Sequence, residues 1–185
     1  MQPAPNAEVT VLLAQARAGD AQALGAAYSA VYEELKRAAR SQLRRMGDAF
    51  QTTALVHEAF LKLGGAQMVA IDRHHLLALS ARAMRQVLVD QARIAHAQKR
   101  GGHDAPVTLT ARIAGDTRAA VDVLALDQLL TSLHALDERA AQVVELRFFG
   151  GYEDTEIADM LGVTDRTVRR DWRKARAFLL SELAA

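Results

Sequence analysis

The chain has 185 residues, half of them hydrophobic, with a formal net charge of +1 and no cysteine. That length leaves room for one medium domain or two small ones, and the missing thiols exclude a disulfide framework and a thiolate metal site. No apolar run reaches the about 18 residues of a membrane span, and Met1-Gln-Pro-Ala-Pro-Asn6 lacks the blocks of a signal peptide, which points to a cytoplasmic protein.

Alanine and leucine dominate the apolar residues, and prolines and β-branched runs are scarce, so the expected fold class is all-α. Glu8 to Ala18 reads as a first helix, ended by Gly19-Asp20. Ala21 to Met46 reads as one long second helix with Leu24, Tyr28, Val31, Leu35 and Leu43 as its stripe. Its far end is basic (Lys36, Arg37, Arg40, Arg44, Arg45), a solvated face or a DNA contact, and Gly47-Asp48 breaks it. Thr53 to Leu63 is a third helix, with Val56, Phe60 and Leu63 at i, i+4 and i+7. A loop through Asp72-Arg73-His74 leads to a fourth helix, Leu76 to about Lys99, apolar along Leu77, Ala81, Met84, Leu88 and Ala95 and polar at Arg82, Gln86, Asp90 and Arg93.

The texture then changes. Arg100-Gly-Gly-His-Asp-Ala-Pro106 is a breaker cluster, and periodicity stays weak to Asp122. Val121 to Leu136 and Glu138 to Phe149 resume helical spacing, with Asp137 as the N-cap of the second and Gly150-Gly151 as its stop.

Thr155 to Arg176 carries the strongest signal. Leu161-Gly162-Val163-Thr164 punctuates two helices: Gly162 can take the left-handed backbone of a helix stop, and Thr164 can cap the next helix. At about 100° per residue, Val168, Trp172, Ala175 and Leu179 share one side, with Arg166, Arg170 and Arg173 opposite. Arg169 and Arg176 lie on one flank and Lys174 on the other. A short helix of this kind suits the major groove, where arginine grips phosphates or guanine edges. A second basic stretch, Arg82, Arg85, Arg93, Lys99 and Arg100, faces one acid, Asp90, so two separated contacts on one polyanion are expected.

No constellation supports catalysis or a metal. His57-Glu58 would need a second histidine where Leu61 stands, and no phosphate-binding glycine loop with a following lysine occurs.

These segments resemble the sigma factors of the extracytoplasmic-function (ECF) class, the smallest promoter-specificity subunits of bacterial RNA polymerase. Leu136-Asp137-Glu138-Arg139 through Val143-Val144-Glu145-Leu146-Arg147-Phe148 resembles the opening of that family's region four. Glu156-Ile157-Ala158, Leu161-Gly162-Val163 and Thr167-Val168 match its helix-turn-helix. Thr53-Ala-Leu-Val-His-Glu-Ala-Phe-Leu-Lys-Leu63 resembles the region-two helix that docks on the polymerase clamp, and Arg85-Gln-Val-Leu-Val-Asp90-Gln-Ala-Arg93 the one that reads the minus-ten element. The chain departs from the family at Gln86, where asparagine is common, in having no tryptophan early in that helix, and in Gln51-Thr52-Thr53 before the clamp helix. These departures mark a divergent branch.

The resemblance implies a region-two helical bundle over 1–100, a flexible linker over 101–120 and a region-four helix-turn-helix domain over 121–185. It implies no cofactor, no metal and no enzymatic activity. Leu55, His57, Glu58, Leu61 and Lys62 would dock on the clamp coiled coil of the large polymerase subunit. Arg166, Thr167, Arg169, Arg170, Arg173 and Lys174 would meet the minus-thirty-five element. Of these, Arg166 and Arg170 suit base edges, while Arg173 and Lys174, with Arg176, suit phosphates. Asp72, Arg73, His74, Gln86, Asp90 and Arg93 would serve the minus-ten element. The fourth helix has no aromatic wedge, so the loop Asp72-Arg73-His74 would form a polar pocket for a flipped base, with Gln86 and Arg93 nearby. The partners would be RNA polymerase core and promoter DNA, with room for an anti-sigma factor.

Two other readings stay open on sequence alone. One is a helix-turn-helix regulator of the response-regulator output type; against it, the first hundred residues lack the alternating strands of a sensory α/β domain. The other is a helical adaptor that binds no DNA.

Overall fold

Asp20, Asp72, Asp137 and Thr164 each cap the helix that follows, and these caps set the frame of the fold. Asp20 Oδ1 accepts from the Gln22 and Ala23 amides at 2.9 and 3.2 Å. Asp72 Oδ1 accepts from His75 N at 2.8 Å, Asp137 Oδ1 from Ala140 N at 3.0 Å and Thr164 Oγ1 from Thr167 N at 3.3 Å. Each satisfies a backbone donor that the first helical turn leaves unpaired.

The computed structural model describes residues 5–46, 51–65, 70–98 and 123–184, which form helices and turns without a strand. The N-terminal module comprises α1 (Pro5–Arg17), α2 (Ala23–Ala30), α3 (Tyr32–Met46), α4 (Thr52–Gly65) and α5 (Arg73–Gln98). The C-terminal module comprises α6 (Val123–Leu136), α7 (Glu138–Val144), α8 (Asp154–Leu161) and α9 (Asp165–Ala184). Helix α7 runs directly into a widened π-helical turn, Glu145–Gly150. The breakers Gly47-Asp48 and Gly101-Gly102 and the linker at 101–120 lie outside the described residues.

The single helix expected from Ala21 to Met46 is two. Val31 leaves helical geometry at φ −106°, ψ 6°. The bend lets Ala27 and Tyr28 on α2 and Leu35, Ala38 and Ala39 on α3 all reach the core, and Tyr28 donates its hydroxyl to the Val56 carbonyl on α4 at 3.2 Å. The gain is tertiary: no glycine or proline marks the break.

The two modules meet directly. Helices α3 and α5 clasp the π-helical turn. Gln42 on α3 is 1% exposed, and its side-chain amide donates to the Phe149 carbonyl. A π-helical turn bonds i to i+5, which disturbs the regular ladder and leaves carbonyls for such outside donors. Gly151 follows at φ +68°, and a Cβ there would lie 2.8 Å from Ser41 Cβ. Val123, Val143, Leu146 and Tyr152 share one apolar cluster with Leu35, Leu76, Leu77 and Met84 of the N-terminal module. A second cluster, built around Leu126, Leu130, Phe149, Ala175 and Leu179, belongs to the C-terminal module.

Candidate nucleic-acid interface

The turn between α8 and α9 is short-range chemistry. Glu153 and Glu156 form a capping box that starts α8, and the Glu153 amide donates to Glu156 Oε2 at 2.9 Å. Gly162 stops it at φ +64°, with Val163 N bonded to the Ala158 carbonyl at 3.0 Å. Helix α9 then buries Val168, Ala175 and Leu179.

Asp171 is buried on the same flank. Arg139 Nε donates to its Oδ2 at 2.6 Å, and Arg170 Nε lies 3.4 Å from Oδ1. The sequence pattern assigned Asp171 no role. Three residues after Val168, it falls about 60° from the centre of the apolar stripe, and that placement was the available signal. Trp172 is half-buried among core residues, with the Arg147 guanidinium 4.8 Å from its ring centroid. Arg147 is also bonded to Asp154.

Opposite this seam, Arg166, Arg169, Arg170, Arg173 and Lys174 are exposed. Arg169 pairs with Asp165 at 3.0 Å and Lys174 lies 3.9 Å from Asp137. Arg166 and Arg173 make no ion pair among the described residues. Together with Arg147, Asp154, Arg169 and Trp172 they line an open concavity with four guanidinium groups against one carboxylate. Exposed ion pairs contribute about 0–1 kcal/mol, so a phosphate can displace those of Arg169 and Lys174 cheaply. Thr167 is half-buried, its hydroxyl 3.1 Å from that of Thr164, and so it belongs to the cap.

Helical hairpins with a basic second helix occur in many DNA-binding proteins, so the hairpin by itself leaves the family open. Residues 6–185 match the family described as ECF sigma factor. The chain belongs to that family. It is therefore a transcription initiation factor, whose partners are RNA polymerase and promoter DNA. No curated protein matches it in sequence. Among solved structures it is similar to CnrH, seen in complex with the cytosolic domain of CnrY, at 21% identity over 96% of this chain and 97% of that one, with a TM-score of 0.42. No helix among the described residues is long and apolar enough to cross a membrane, and no group of three or more acidic or histidine side chains there is placed to hold a metal.

Of the residues expected to dock on polymerase, His57, Glu58, Leu61 and Lys62 lie exposed on α4. Leu61 is 53% exposed, unusual for a large apolar side chain. Leu55 is a correction: it is fully buried, and Ala59 with it. Packing of α4 against both α3 and α5 requires an apolar arc wide enough to take in Leu55 beside Val56, Phe60 and Leu63.

The minus-ten group is corrected more deeply. Asp72 is the N-cap of α5, and Arg73 and His74 lie in its first turn, because the cap starts the helix three residues earlier than its apolar stripe suggests. Arg73 is bonded to Glu34 of α3. Asp72 and His74 do line a cleft, together with Arg82 and Arg85, but its opposite wall is α6 and α7. Gln86 and Arg93 are not near that end: at 1.5 Å per residue they stand about 20 and 30 Å along the helix from Asp72. Gln86 is exposed, Asp90 takes a 2.7 Å bond from Lys62, and Arg93 reaches Asp90 and Asp127 at 3.6 Å. The residue sequence reasoning left out of the site is Arg85. It sits between Asp127 and Glu145 of the C-terminal module, at 3.5 and 3.3 Å.

Proposed function

We propose that this ECF sigma factor reads the minus-thirty-five element with the exposed face of α9. Arg166 and Arg170 address base edges there, and Arg169, Arg173 and Lys174 hold phosphates. The observation that carries this is the pair Arg166 and Arg173: uncompensated guanidinium groups beside the open concavity on a helix whose other side is anchored by Val168, Ala175 and Asp171. A rigid seam fixes the register of the helix, which direct readout requires.

Residues 1–100 form the polymerase-binding and minus-ten module in this reading, and 121–185 the minus-thirty-five module. His57, Glu58, Leu61 and Lys62 dock on the clamp, where exposed Leu61 supplies the apolar centre such an interface needs. Gln86, Asp90 and Arg93, joined by Arg85, form the minus-ten face of α5. The protein acts in the cytoplasm without a catalytic step of its own, and an anti-sigma factor is its natural antagonist. The test is capture of RNA polymerase core by the tagged chain, followed by runoff transcription on genomic fragments. Initiation from a discrete set of fragments, weakened on R166A, is the expected result. Capture of core with no initiation on any fragment would overturn it.

A further inference from the structure

We propose that the cleft between α5 and the helices α6, α7 and α8 binds a small zwitterion with an apolar side chain, for which an α-amino acid is the simplest chemistry. Of the residues assigned above to DNA, the site uses Arg85 alone, and it needs neither promoter nor polymerase to fill.

The cleft encloses about 530 Å³, within the range of roughly 300–1,000 Å³ that holds small organic ligands. Both modules build it. Leu79 of α5, Leu130 of α6, Leu146 of the π-helical turn and Met160 and Leu161 of α8 supply an apolar lining, onto which a few charged groups converge. An apolar cavity at a module boundary with few polar groups is the usual form of a small-molecule site.

The charges on its walls are balanced. Arg82 and Arg85 stand three residues apart on α5 and so present two neighbouring guanidinium groups. From α7 and the π-helical turn, Glu138 and Glu145 present two carboxylates. Asp72 also reaches the cleft, but its carboxylate is committed to the His75 amide at 2.8 Å. Two cations and two anions suit a ligand that carries both signs better than a plain anion or a plain cation.

Two of these groups also lack partners. Arg85 Nε and Glu145 Oε1 are buried without a hydrogen bond, although Arg85 Nη1 lies 3.3 Å from the same Glu145 oxygen. Buried polar atoms in folded proteins are nearly always bonded, and here a donor and an acceptor are orphaned side by side. A carboxylate bridging Arg82 and Arg85 accepts from Nε, and an ammonium on the adjacent carbon donates to Glu145 Oε1. The ligand's side chain then lies along Leu130, Leu146 and Leu161. Burial holds the Glu145 pKa above its ordinary value in the free chain. An ammonium beside it offsets that burial and favours the charged carboxylate.

Saturation-transfer NMR and calorimetry on the full chain test the site with L-leucine, L-methionine, L-phenylalanine and L-tryptophan. Saturable binding of at least one is expected, with the rise in melting temperature that any ligand of the folded state gives. The analogues lacking one charge (3-phenylpropanoate and phenethylamine in the case of phenylalanine) should each bind about tenfold more weakly, from the loss of a charged hydrogen bond.

Two variants separate the ends of the ligand. R82A, at an exposed side chain, should weaken the amino acid about tenfold and leave the amine unchanged. E145Q should weaken the amino acid and leave the carboxylic acid unchanged, a split that lost packing would not produce. Circular dichroism checks both folds; should E145Q lose helix, R82A and the analogues decide alone. The proposal is overturned if none of the four amino acids binds saturably, if an amino acid and both its analogues bind equally, or if the variants lack these opposite effects.

Discussion

Arg139 Nε lies 2.6 Å from Asp171 Oδ2, so the helix proposed to grip an anionic duplex is itself anchored by a buried carboxylate. The pair ties α9 to α7 and fixes the rotation of the arginine face. D171A is expected to lower stability, by removing the buried carboxylate that Arg139 and Arg170 share. Urea denaturation measures it, and a change below about 0.5 kcal/mol, the ordinary surface range, would remove the pair from the account.

Acid should expose the same carboxylate. Burial pushes the pKa of Asp171 up, but hydrogen bonds and charge from Arg139 and Arg170 outweigh it and hold the group below its ordinary 3.8. A lowered folded-state pKa contributes stability that is full above the unfolded value and lost as pH falls through the folded one. Stability should therefore decline more steeply below pH 3.8 in the wild type than in D171N. Equal slopes would contradict the assignment.

Glu145 works in the opposite sense. Burial, the largest influence, raises its pKa above the ordinary 4.5 against the pull of Arg85, Arg82 and His134. Its contribution is full below pH 4.5 and is lost as pH rises through the raised folded value. At neutral pH, E145Q should melt no lower than the wild type, a result that thermal unfolding decides.

On the cationic face, the two free arginines should behave differently. R166A is expected to cost about 1–3 kcal/mol in promoter binding by the holoenzyme and to relax specificity at one position. R173A should weaken all sequences alike and lower the salt slope by about 1. Filter binding across salt concentrations separates them.

Leu55 and Leu61 provide a paired test on α4. L55A should cost roughly 2–5 kcal/mol of stability, as a core truncation does. L61D should leave stability within about 0.5 kcal/mol and abolish polymerase capture. Normal capture by L61D would move the docking surface elsewhere.

Local chemistry was legible and long-range chemistry was not. Gly162, Thr164 and the stripe from Val168 to Leu179 act within a few residues of one another, and the hairpin follows the sequence pattern closely. Asp137 was readable as a cap for the same reason. Val31 was not, because the break there is decided by where Tyr28 meets Val56 on another helix. Leu55 looked available until α3 and α5 closed on both sides of α4. The minus-ten loop failed on a single competing signal: Asp72 is as good a cap as any loop residue, and the helix took it. The contact of Arg85 with Asp127 and Glu145 joins residues about forty to sixty positions apart, beyond the reach of periodicity.

The widened turn at Glu145–Gly150 carries one residue more than an α-helical turn would hold. Removing one residue there would let the segment close into an ordinary i to i+4 turn, with the helices on either side still close to register. What would go is the bulge that presents the Phe149 carbonyl to Gln42 of α3. The seat of the C-terminal helices against α3 therefore depends on one surplus residue within Glu145–Gly150.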